Sequence, residues 1–342
     1  MKFDLALTPA SLTQVPDLAK RAEALGATGL WSTETQHDPF LSLTLAAEHT
    51  TSISLGTAVA IAFARSPMTV AYTAWDLAAQ SNGRFILGLG TQVKPHIERR
   101  FGLAWPESPV AKLREFIIAL RSIWQSWQTG ERLNFRGEYF KHTLMTPFFN
   151  PGEIKYPHIP IYIAGVNAPL IKLAGELADG FHVHPYHTRK YLAEVIRPNL
   201  EAGAAKAGRQ PDQISVATTT FVAIGRDESE RSLMREMMKS QIAFYASTPT
   251  YRSVMSLHGW EAQAEQLTAL AARGGWGDMP AVITDEMLAE FIVEGTWADI
   301  GDKLRAKYDG LADRLALYLP YSQSEVDENW QKVAKAIQEF TR

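Results

Sequence analysis

The densest run of titratable side chains follows a short apolar segment near the start of the chain. Glu34, His37 and Asp38 come directly after residues 29–33, which have the composition of a buried strand. A carboxylate and an imidazole three residues apart could act as acid and base at a reacting centre. The alternative is a solvated loop in which Asp38 and Pro39 begin a turn.

Three histidines form a second candidate site at the end of a later strand. His182 and His184 would lie on one face of that strand, because side chains alternate. No carboxylate accompanies them, so a metal site is disfavoured and we predict none. We expect His184 to end the strand and donate hydrogen bonds to a ligand, with His182 in the strand wall. Tyr186, His187 and Arg189 could bind a phosphate or another polar tail, and the alternative is a surface loop.

Three common kinds of site lack their signals in this sequence. Gly88 and Gly90 follow a predicted strand, but Val93 stands where a dinucleotide-binding fingerprint needs its third glycine. These glycines more simply let the chain turn and let a flat group approach the backbone closely. The sequence contains neither the Gly-x-Ser-x-Gly elbow of serine hydrolases nor a P-loop for phosphate.

Alternating strands and helices must position these residues. Residues 53–61 are a nearly continuous apolar run, which is typical of a strand buried on both faces of a parallel sheet. Each predicted strand is followed by a crossover long enough for a helix, which favours a right-handed parallel arrangement. The predicted strands are residues 3–7, 29–33, 53–61, 85–89, 159–164, 180–183, 214–224 and 314–319. The predicted helices are residues 41–49, 67–79, 110–127, 169–178, 191–207, 228–245 and 297–308, with an earlier helix that ends at residue 25.

Such strand–helix units predict an α/β fold of the (β/α)8 TIM-barrel type, with the active site at the carboxyl ends of the strands. We interpret residues 1–342 as a single domain. Residues 91–157 contain a helix and a small hairpin, which we interpret as an insertion beside the barrel after the fourth strand. Residues 92–109 are expected to be mostly connection, and residues 248–259 a loop between further short helices.

The bulk composition excludes several classes of protein. The formal net charge is −3, with 46% hydrophobic and 21% charged residues, so neither nucleic acid nor a membrane surface is expected as a partner. The absence of cysteine excludes disulfides, thiolate metal sites and iron–sulfur clusters, and fits the reducing cytoplasm. The N-terminus resembles no signal peptide, and no apolar run is long enough for a transmembrane helix. We therefore predict a cytoplasmic protein that acts on a small molecule.

Several segments together resemble the bacterial-luciferase-like family of flavin and deazaflavin oxidoreductases. The segments that carry this resemblance are 55–59 (LGTAV), 64–67 (ARSP), 81–91 (SNGRFILGLGT), 161–165 (IYIAG) and 173–180 (LAGELADG). Their order and spacing match over about residues 1–320. Two further tracts, 33–41 (TETQHDPFL) and 90–100 (GTQVKPHIERR), are similar to the branch that depends on the deazaflavin coenzyme F420.

The resemblance implies a barrel with an insertion after the fourth strand and a cofactor ring at the barrel mouth. It also implies a non-prolyl cis peptide bond in the third strand, which would fall between Ala58 and Val59. Thr91 and Gln92 match positions that touch the cofactor, and His184 matches the residue that supports its tail. The full set of expected cofactor-binding residues is Thr57, Ala58, Val59, Gly90, Thr91, Gln92, His184 and Tyr186.

The predicted function is hydride transfer between F420 and a small organic substrate. Glu34 and His37 are the expected catalytic acid and base, and Glu34 could also hydrogen-bond the polar edge of the ring. We expect the substrate pocket to include Trp31, Phe63 and His96. Sugar-phosphate dehydrogenases of the family have an Asp-His pair where this chain has Glu34 and Thr35. They also have phosphate-binding lysines without a clear match here, which disfavours a phosphosugar substrate.

Two alternatives remain open from the sequence. One is an FMN-dependent luciferase-like monooxygenase that uses reduced flavin and oxygen and needs a flavin reductase as partner. The other is a non-catalytic barrel that binds a flavin-type ligand.

Arg65 and Arg252 are candidate phosphate-binding residues. The resemblance also implies a homodimer formed through the second and third helices.

Overall fold

The computed structural model describes residues 1–9, 11–321 and 327–338, in which strands alternate with helices. None of the described helices has the length and apolar composition needed to cross a bilayer. The strands are β1 Lys2–Leu7, β2 Gly29–Ser32, β3 Ser54–Thr57, β4 Ala60–Ile61, β5 Phe85–Gly90, β6 Phe135–Arg136, β7 Lys141–His142, β8 Ile161–Ala164, β9 Gly180–Val183, β10 Ser215–Ile224, β11 Ile292–Gly295 and β12 Arg314–Leu317. The helices are α1 Val15–Ala24, α2 Pro39–His49, α3 Pro67–Gln80, α4 Lys94–Arg99, α5 Pro109–Thr129, α6 Ala168–Leu177, α7 Arg189–Tyr191, α8 Arg197–Lys206, α9 Glu228–Ala246, α10 Arg252–Leu257, α11 Glu261–Ala272, α12 Asp285–Phe291, α13 Ile300–Tyr308 and α14 Asp327–Gln338. A π-helical segment, Leu192–Ile196, joins α7 to α8.

Eight of the strands close into a barrel. Around the barrel the order is β1, β2, β3, β5, β8, β9, β10 and β12, and β12 pairs with β1. All of these neighbours pair in parallel. The predicted (β/α)8 TIM barrel is therefore confirmed. The carboxyl ends of its strands form one open face, which we call the mouth.

The third predicted strand is interrupted rather than continuous over residues 53–61. β3 ends at Thr57 and the chain resumes as β4 at Ala60. Between them the peptide bond joining Ala58 to Val59 is cis, at the position that the sequence resemblance implies. β4 then pairs with β5 through Ala60 and Leu89, so the chain stays in the barrel wall. We call Ala58 and Val59 the bulge.

The helix and the hairpin that follow β5 occupy different places. α5 packs against α3 and α6 in the layer outside the barrel, so it is the crossover helix between β5 and β8. The hairpin of β6 and β7 is attached to this helix, because the Glu115 carboxylate accepts backbone N–H groups from Tyr139 and Phe140. Only the hairpin region therefore lies beside the ring of helices. The interpretation of residues 1–342 as one domain stays a prediction.

The longest connection lies between β10 and β12, where the sequence analysis predicted no insertion. It contains α9 to α13 and β11, whose Ile292 pairs in parallel with Phe221 of β10. β11 is not among the predicted strands. The short helices α4 and α10 lie within stretches that we expected to be irregular.

Charged and aromatic side chains fill the barrel beneath the mouth. Arg314 Nε lies 2.7 Å from Asp4 Oδ2 in a buried ion pair, and Trp31 Nε1 donates to the same oxygen at 2.8 Å. The Trp31 ring meets the edge of His182 at a centroid distance of 4.8 Å. Ala58 of the bulge packs against the cluster that contains Trp31. We call this filled interior the floor, because the bulge rests on it.

Gly88 of β5 allows two barrel strands to approach closely. An added Cβ would lie 1.8 Å from the Thr57 carbonyl oxygen, and the Thr57 hydroxyl bonds both the N–H and the carbonyl of Gly88. Gly88→Ala is therefore expected to lower the free energy of unfolding by about 1–3 kcal/mol in urea denaturation. Gly277→Ala is the matched control, because nothing lies within 4 Å of its added Cβ. Equal stability of the two variants would contradict this packing argument.

Candidate functional site

The loop after β2 carries Glu34 at the mouth, but not as a solvated side chain. The Glu34 side chain is only 7% exposed. Its Oε2 accepts a hydrogen bond from the Ile61 N–H at 2.7 Å and another from Arg65 Nη1 at 2.6 Å. The carboxylate therefore joins the loop after β2 to β4, directly beyond the bulge. This arrangement gives Glu34 a fixed position rather than a mobile one.

His37 lies in the same loop and has a different environment. Its side chain is exposed, and among the described residues it makes neither a hydrogen bond nor an ion pair. The loop backbone is held nearby, because Arg100 Nη2 donates to the Thr35 carbonyl oxygen at 2.7 Å. An imidazole that is free on a fixed loop can exchange protons with a ligand or with water.

The bulge and the chain after β5 form the adjoining part of the mouth. Ala58 and Val59 are half-buried, and the Val59 side chain occupies the space that a Cβ on Gly90 would need. The Thr57 hydroxyl already forms two hydrogen bonds with the backbone of Gly88. Only the backbone of Thr57 is therefore left to contact a ligand. Because the side chains of Ala58 and Val59 are small and apolar, the bulge is a small apolar surface above the floor.

Thr91 and Gln92 are half-buried at the end of β5. The Thr91 hydroxyl donates to the Gln92 carbonyl oxygen at 2.9 Å, and Gln92 Oε1 accepts the Val93 N–H at 3.0 Å. Gln92 has a φ of 60°, in the left-handed region that non-glycine residues seldom adopt. Its side-chain amide NH2 is the group left for a ligand. His96 is exposed on α4.

His184 follows β9 at the mouth, as the sequence predicts, and it is paired with Tyr251. The Tyr186 N–H donates to His184 Nδ1 at 3.1 Å, which leaves the proton on Nε2. Nε2 lies 3.1 Å from the Tyr251 hydroxyl and donates to it. Because this hydroxyl has no other partner among the described residues, its own hydrogen is available to a ligand. Burial lowers the pKa of His184 to about 4, which keeps the ring neutral.

A small cavity lies beside this pair. Its volume is about 10 Å³, which is room for about one water molecule. Gly165, Val166 and Ser253 line it together with His184 and Tyr251. The loop after β8, the end of β9 and α10 therefore converge on one polar corner of the mouth.

Tyr186 and His187 are buried, which corrects the surface-loop interpretation of the polar cluster. The Tyr186 ring stacks on Phe291 at a centroid distance of 4.8 Å, so it reaches a ligand only indirectly, through its N–H on His184. His187 uses both ring nitrogens, with Nδ1 against the His184 carbonyl oxygen and Nε2 beside the Tyr308 hydroxyl. Both residues line the small cavity at the polar corner, and they do not form a surface loop. Arg189 is exposed and bonds the Lys307 carbonyl oxygen.

The expected substrate residues do not share one pocket. Trp31 is part of the floor, where it is 6% exposed and bonded to Asp4. Phe63 follows β4, with Trp105 against its edge at a centroid distance of 5.7 Å. Lys112 Nζ lies 4.9 Å from the centre of the Phe63 ring. Phe63 is itself only 3% exposed, so it supports the half-buried Trp105 from behind, whereas Trp31 supports the mouth from beneath.

The structure also changes the list of possible phosphate ligands. Arg65 is committed to Glu34 and to Asp38, and Arg252 is exposed on α10. Lys112 is half-buried and forms no ion pair among the described residues, and burial lowers its pKa. Sequence reasoning missed both Lys112 and Tyr251. No local pattern marks them, because only packing brings them to the mouth.

The described residues contain no cluster of three or more side chains that could hold a metal ion.

One buried histidine and two half-buried histidines make the stability of the protein depend on pH. Burial lowers the pKa of His182 and His187 to about 3, and that of His184 to about 4. In the unfolded chain these rings bind protons near pH 6.5. Stability is therefore full above about pH 6.5 and is expected to fall as the pH drops towards about 4. Urea unfolding over this range measures the loss.

The control for this prediction is His187→Gln, which removes one of the three titrating rings. The variant is expected to show a shallower fall in stability below about pH 6.5. Carboxylates such as Glu23, whose pKa several hydrogen bonds lower to about 2 despite partial burial, act in a more acidic range. A stability that stays constant between about pH 6.5 and pH 5 would contradict the prediction.

Known proteins share the sequence and fold of this chain over most of its length. The family model of the luciferase-like monooxygenases matches residues 2–314. The chain is 43% identical to an uncharacterized protein of Mycobacterium tuberculosis, over 100% of this chain and 98% of the relative. It is 29% identical to the 5,10-methylenetetrahydromethanopterin reductase of Archaeoglobus fulgidus, with 89% of each chain covered. The structure of the coenzyme F420 dependent tetrahydromethanopterin reductase from Methanopyrus kandleri matches with a TM-score of 0.77 and 25% identity, over 98% of this chain and 97% of that chain.

Proposed function

Because the chain belongs to the luciferase-like monooxygenase family, whose members are oxidoreductases, we propose that it transfers a hydride between the deazaflavin coenzyme F420 and a small organic substrate. Two similar proteins support a reductase-type reaction, and one of them also supports the choice of cofactor. One is a 5,10-methylenetetrahydromethanopterin reductase and the other is a coenzyme F420 dependent reductase. The observation that carries the proposal is the half-buried bulge between β3 and β4, whose Ala58 packs against the floor.

The residues of the mouth fit a flat ring with a polar tail. Ala58 and Val59 present small apolar groups above a filled interior, so a ring can lie against backbone without meeting a large side chain. The NH2 group of Gln92, whose Oε1 accepts the Val93 N–H, is left as a hydrogen-bond donor at the end of β5. The hydroxyl of Tyr251 offers a second donor at the polar corner. These groups suit the two parts of a deazaflavin or flavin cofactor.

Glu34 and His37 have different roles in this proposal. When bound, the deazaflavin ring supplies the hydride chemistry. Glu34, fixed between Ile61 and Arg65, accepts a hydrogen bond from the ring edge or from the substrate through its remaining oxygen. His37, which is exposed and free, gives a proton to the substrate or takes one from it. The protein thus separates a fixed acceptor from a mobile acid and base.

The polar corner and Lys112 are our candidates for holding the cofactor tail. The His184 ring orients the Tyr251 hydroxyl, whose hydrogen can meet an oxygen of the tail. Lys112 is the half-buried cation proposed for the phosphate, in place of Arg65 and Arg252. Trp105, which packs against the buried Phe63, is the proposed wall for the substrate. The homodimer and the cytoplasmic location stay predictions.

Removing the Tyr251 hydroxyl is expected to weaken cofactor binding. Tyr251→Phe should raise the dissociation constant for F420 by about 5- to 30-fold, because one hydrogen bond to an anionic or carbonyl oxygen is lost. Fluorescence titration measures the change. Tyr156→Phe is the matched control, since this tyrosine is exposed and its hydroxyl has no partner among the described residues. Equal affinity in both variants would remove Tyr251 from the cofactor site.

The experiment that tests the proposed function is a parallel titration of the purified protein with F420 and with FMN. Binding of F420 in the micromolar range or tighter, without comparable binding of FMN, supports the proposal. A preference for FMN, with oxygen consumption when a flavin reductase is added, points to the monooxygenase. Tight binding of either cofactor without turnover in a substrate screen points to a non-catalytic barrel. Binding of neither cofactor overturns the proposal.

A further inference from the structure

Arg65 joins two loops of the mouth that come from different barrel strands. It follows the turn that leaves β4, and its side chain is 17% exposed. Its Nη1 lies 2.6 Å from Glu34 Oε2, and its Nη2 lies 2.9 Å from Asp38 Oδ2. One guanidinium therefore bonds both ends of the loop after β2, on either side of His37.

Arg65 and Glu34 also form hydrogen bonds with the backbone of Ile61 in β4. Arg65 Nη1 also donates to the Ile61 carbonyl oxygen at 3.3 Å, while the Ile61 N–H donates to Glu34. Glu34, Arg65 and Ile61 thus form a closed set of hydrogen bonds beside the bulge. Because Ile61 follows the bulge in the chain, this set ties the position of the loop to the proposed ring site.

Two further contacts keep this arrangement in one geometry. The Arg65 guanidinium lies over the Phe40 ring, 5.5 Å from its centre, so the plane of the fork is restrained. Arg100 holds the loop from the other side through the Thr35 carbonyl oxygen. A lysine at position 65 has one charged nitrogen and could not present a planar fork to Glu34 and Asp38 together.

We propose that Arg65 is a positioning residue for the reaction, because it sets where the loop of residues 33–38 presents Glu34 and His37 to the bulge. This inference rests on the proposed function. The side chain of Arg65 contacts Glu34, Asp38, Ile61 and Phe40, which belong to neither the bulge nor the substrate wall. Its effect passes through the Glu34 carboxylate and through the backbone on both sides of His37.

The kinetic test compares Arg65→Met with Arg65→Lys. Arg65→Met is expected to lower kcat by about 10- to 100-fold, since misplacing a reacting group by about 1 Å costs about that much. The dissociation constant for F420 should change by less than about threefold. Arg65→Lys should fall between Arg65→Met and the wild type, because its ammonium can hold one carboxylate but not both.

Arg21→Met provides the matched structural control. Arg21 also forms a two-bond pair, with Asp327 at 2.7 and 3.2 Å, but it joins α1 to α14 away from the mouth. We expect its kcat to equal that of the wild type. An unchanged kcat in Arg65→Met would overturn the inference. Equal losses of kcat in Arg65→Met and Arg21→Met would show a general structural effect and would also overturn it.

A second measurement separates this inference from the proposed function, because it needs neither cofactor nor turnover. Hydrogen exchange of the Ile61 amide and of residues 33–38 should be faster in Arg65→Met than in the wild type. Arg21→Met should leave both rates unchanged. If the wild type does not bind F420 but this difference in exchange is present, the proposed function fails. The role of Arg65 in fixing the loop of residues 33–38 is then still supported. If the Ile61 amide is equally protected in Arg65→Met and the wild type, the inference fails.

Discussion

Replacing His37 by alanine is expected to lower turnover by at least about 100-fold while the dissociation constant for F420 changes by less than about threefold. The His37 ring is exposed and makes no hydrogen bond or ion pair among the described residues. Its removal therefore costs no folding contact, so a loss of turnover reports on proton transfer. Steady-state kinetics under anaerobic conditions, with cofactor titration in parallel, measures the two quantities.

The control for His37→Ala is His158→Ala. His158 is also exposed and free of partners, but it lies in the stretch that leads into β8, at the opposite end of the barrel from the mouth. We expect wild-type turnover from this control. If His37→Ala keeps wild-type turnover as well, His37 is not the acid or base. Glu34→Gln should also reduce turnover, but it disturbs the contacts with Ile61 and Arg65 and so reports on position as well as chemistry.

Breaking the ion pair inside the barrel is expected to have the largest effect on stability. Asp4 is 1% exposed and Arg314 is 2% exposed, and two hydrogen bonds join them at 2.7 and 2.8 Å. Arg314→Met would leave a carboxylate inside the barrel with only the Trp31 and Thr28 donors. The free energy of unfolding should fall by about 3–5 kcal/mol, because an unpaired charge stays buried. Urea denaturation measures the change.

Two further variants show whether the buried charge is the cause. Replacing both partners, Asp4→Leu with Arg314→Met, should recover part of the loss, since no unpaired charge then remains although Trp31 Nε1 loses its acceptor. Arg21→Met removes a pair whose partners are 29% and 41% exposed, and should cost no more than about 1 kcal/mol. A double variant as unstable as Arg314→Met would contradict the explanation and point to packing around Trp31 instead.

The contrast between Glu34 and His37 shows how far local sequence can define a site. Both residues were predicted as catalytic from one polar run after the second strand, and both lie at the mouth. The sequence does not distinguish them, because it does not show that Arg65 and Ile61 arrive from a different strand to bind Glu34. Burial and a fixed ion pair make Glu34 an acceptor, whereas exposure leaves His37 free.

The polar cluster after β9 shows where local sequence misleads about exposure. Tyr186, His187 and Arg189 have the composition of a loop that could bind phosphate. Two of the three are buried, because α12 and α13 cover them with Phe291 and Tyr308. Those helices lie in the long connection between β10 and β12, whose packing no local pattern predicts.

The order of strands and helices, the barrel and the place of the mouth follow from the chain read alone. Apolar runs separated by crossovers leave a closed parallel sheet as the way to bury every strand. The position of the cis bond also agreed with the sequence resemblance. The order of the elements follows from a pattern repeated along the chain, whereas the place of the cis bond came from the resemblance to a known family.

The partners of the site residues came only from the tertiary structure. Packing places Tyr251 beside His184, Arg65 beside Glu34 and Asp38, and Trp31 on Asp4 inside the barrel. Each of these contacts joins residues that are far apart in sequence, and its geometry depends on closure of the whole barrel. A side chain's type states what it can donate or accept, but its neighbours in space decide whether that capacity is already spent.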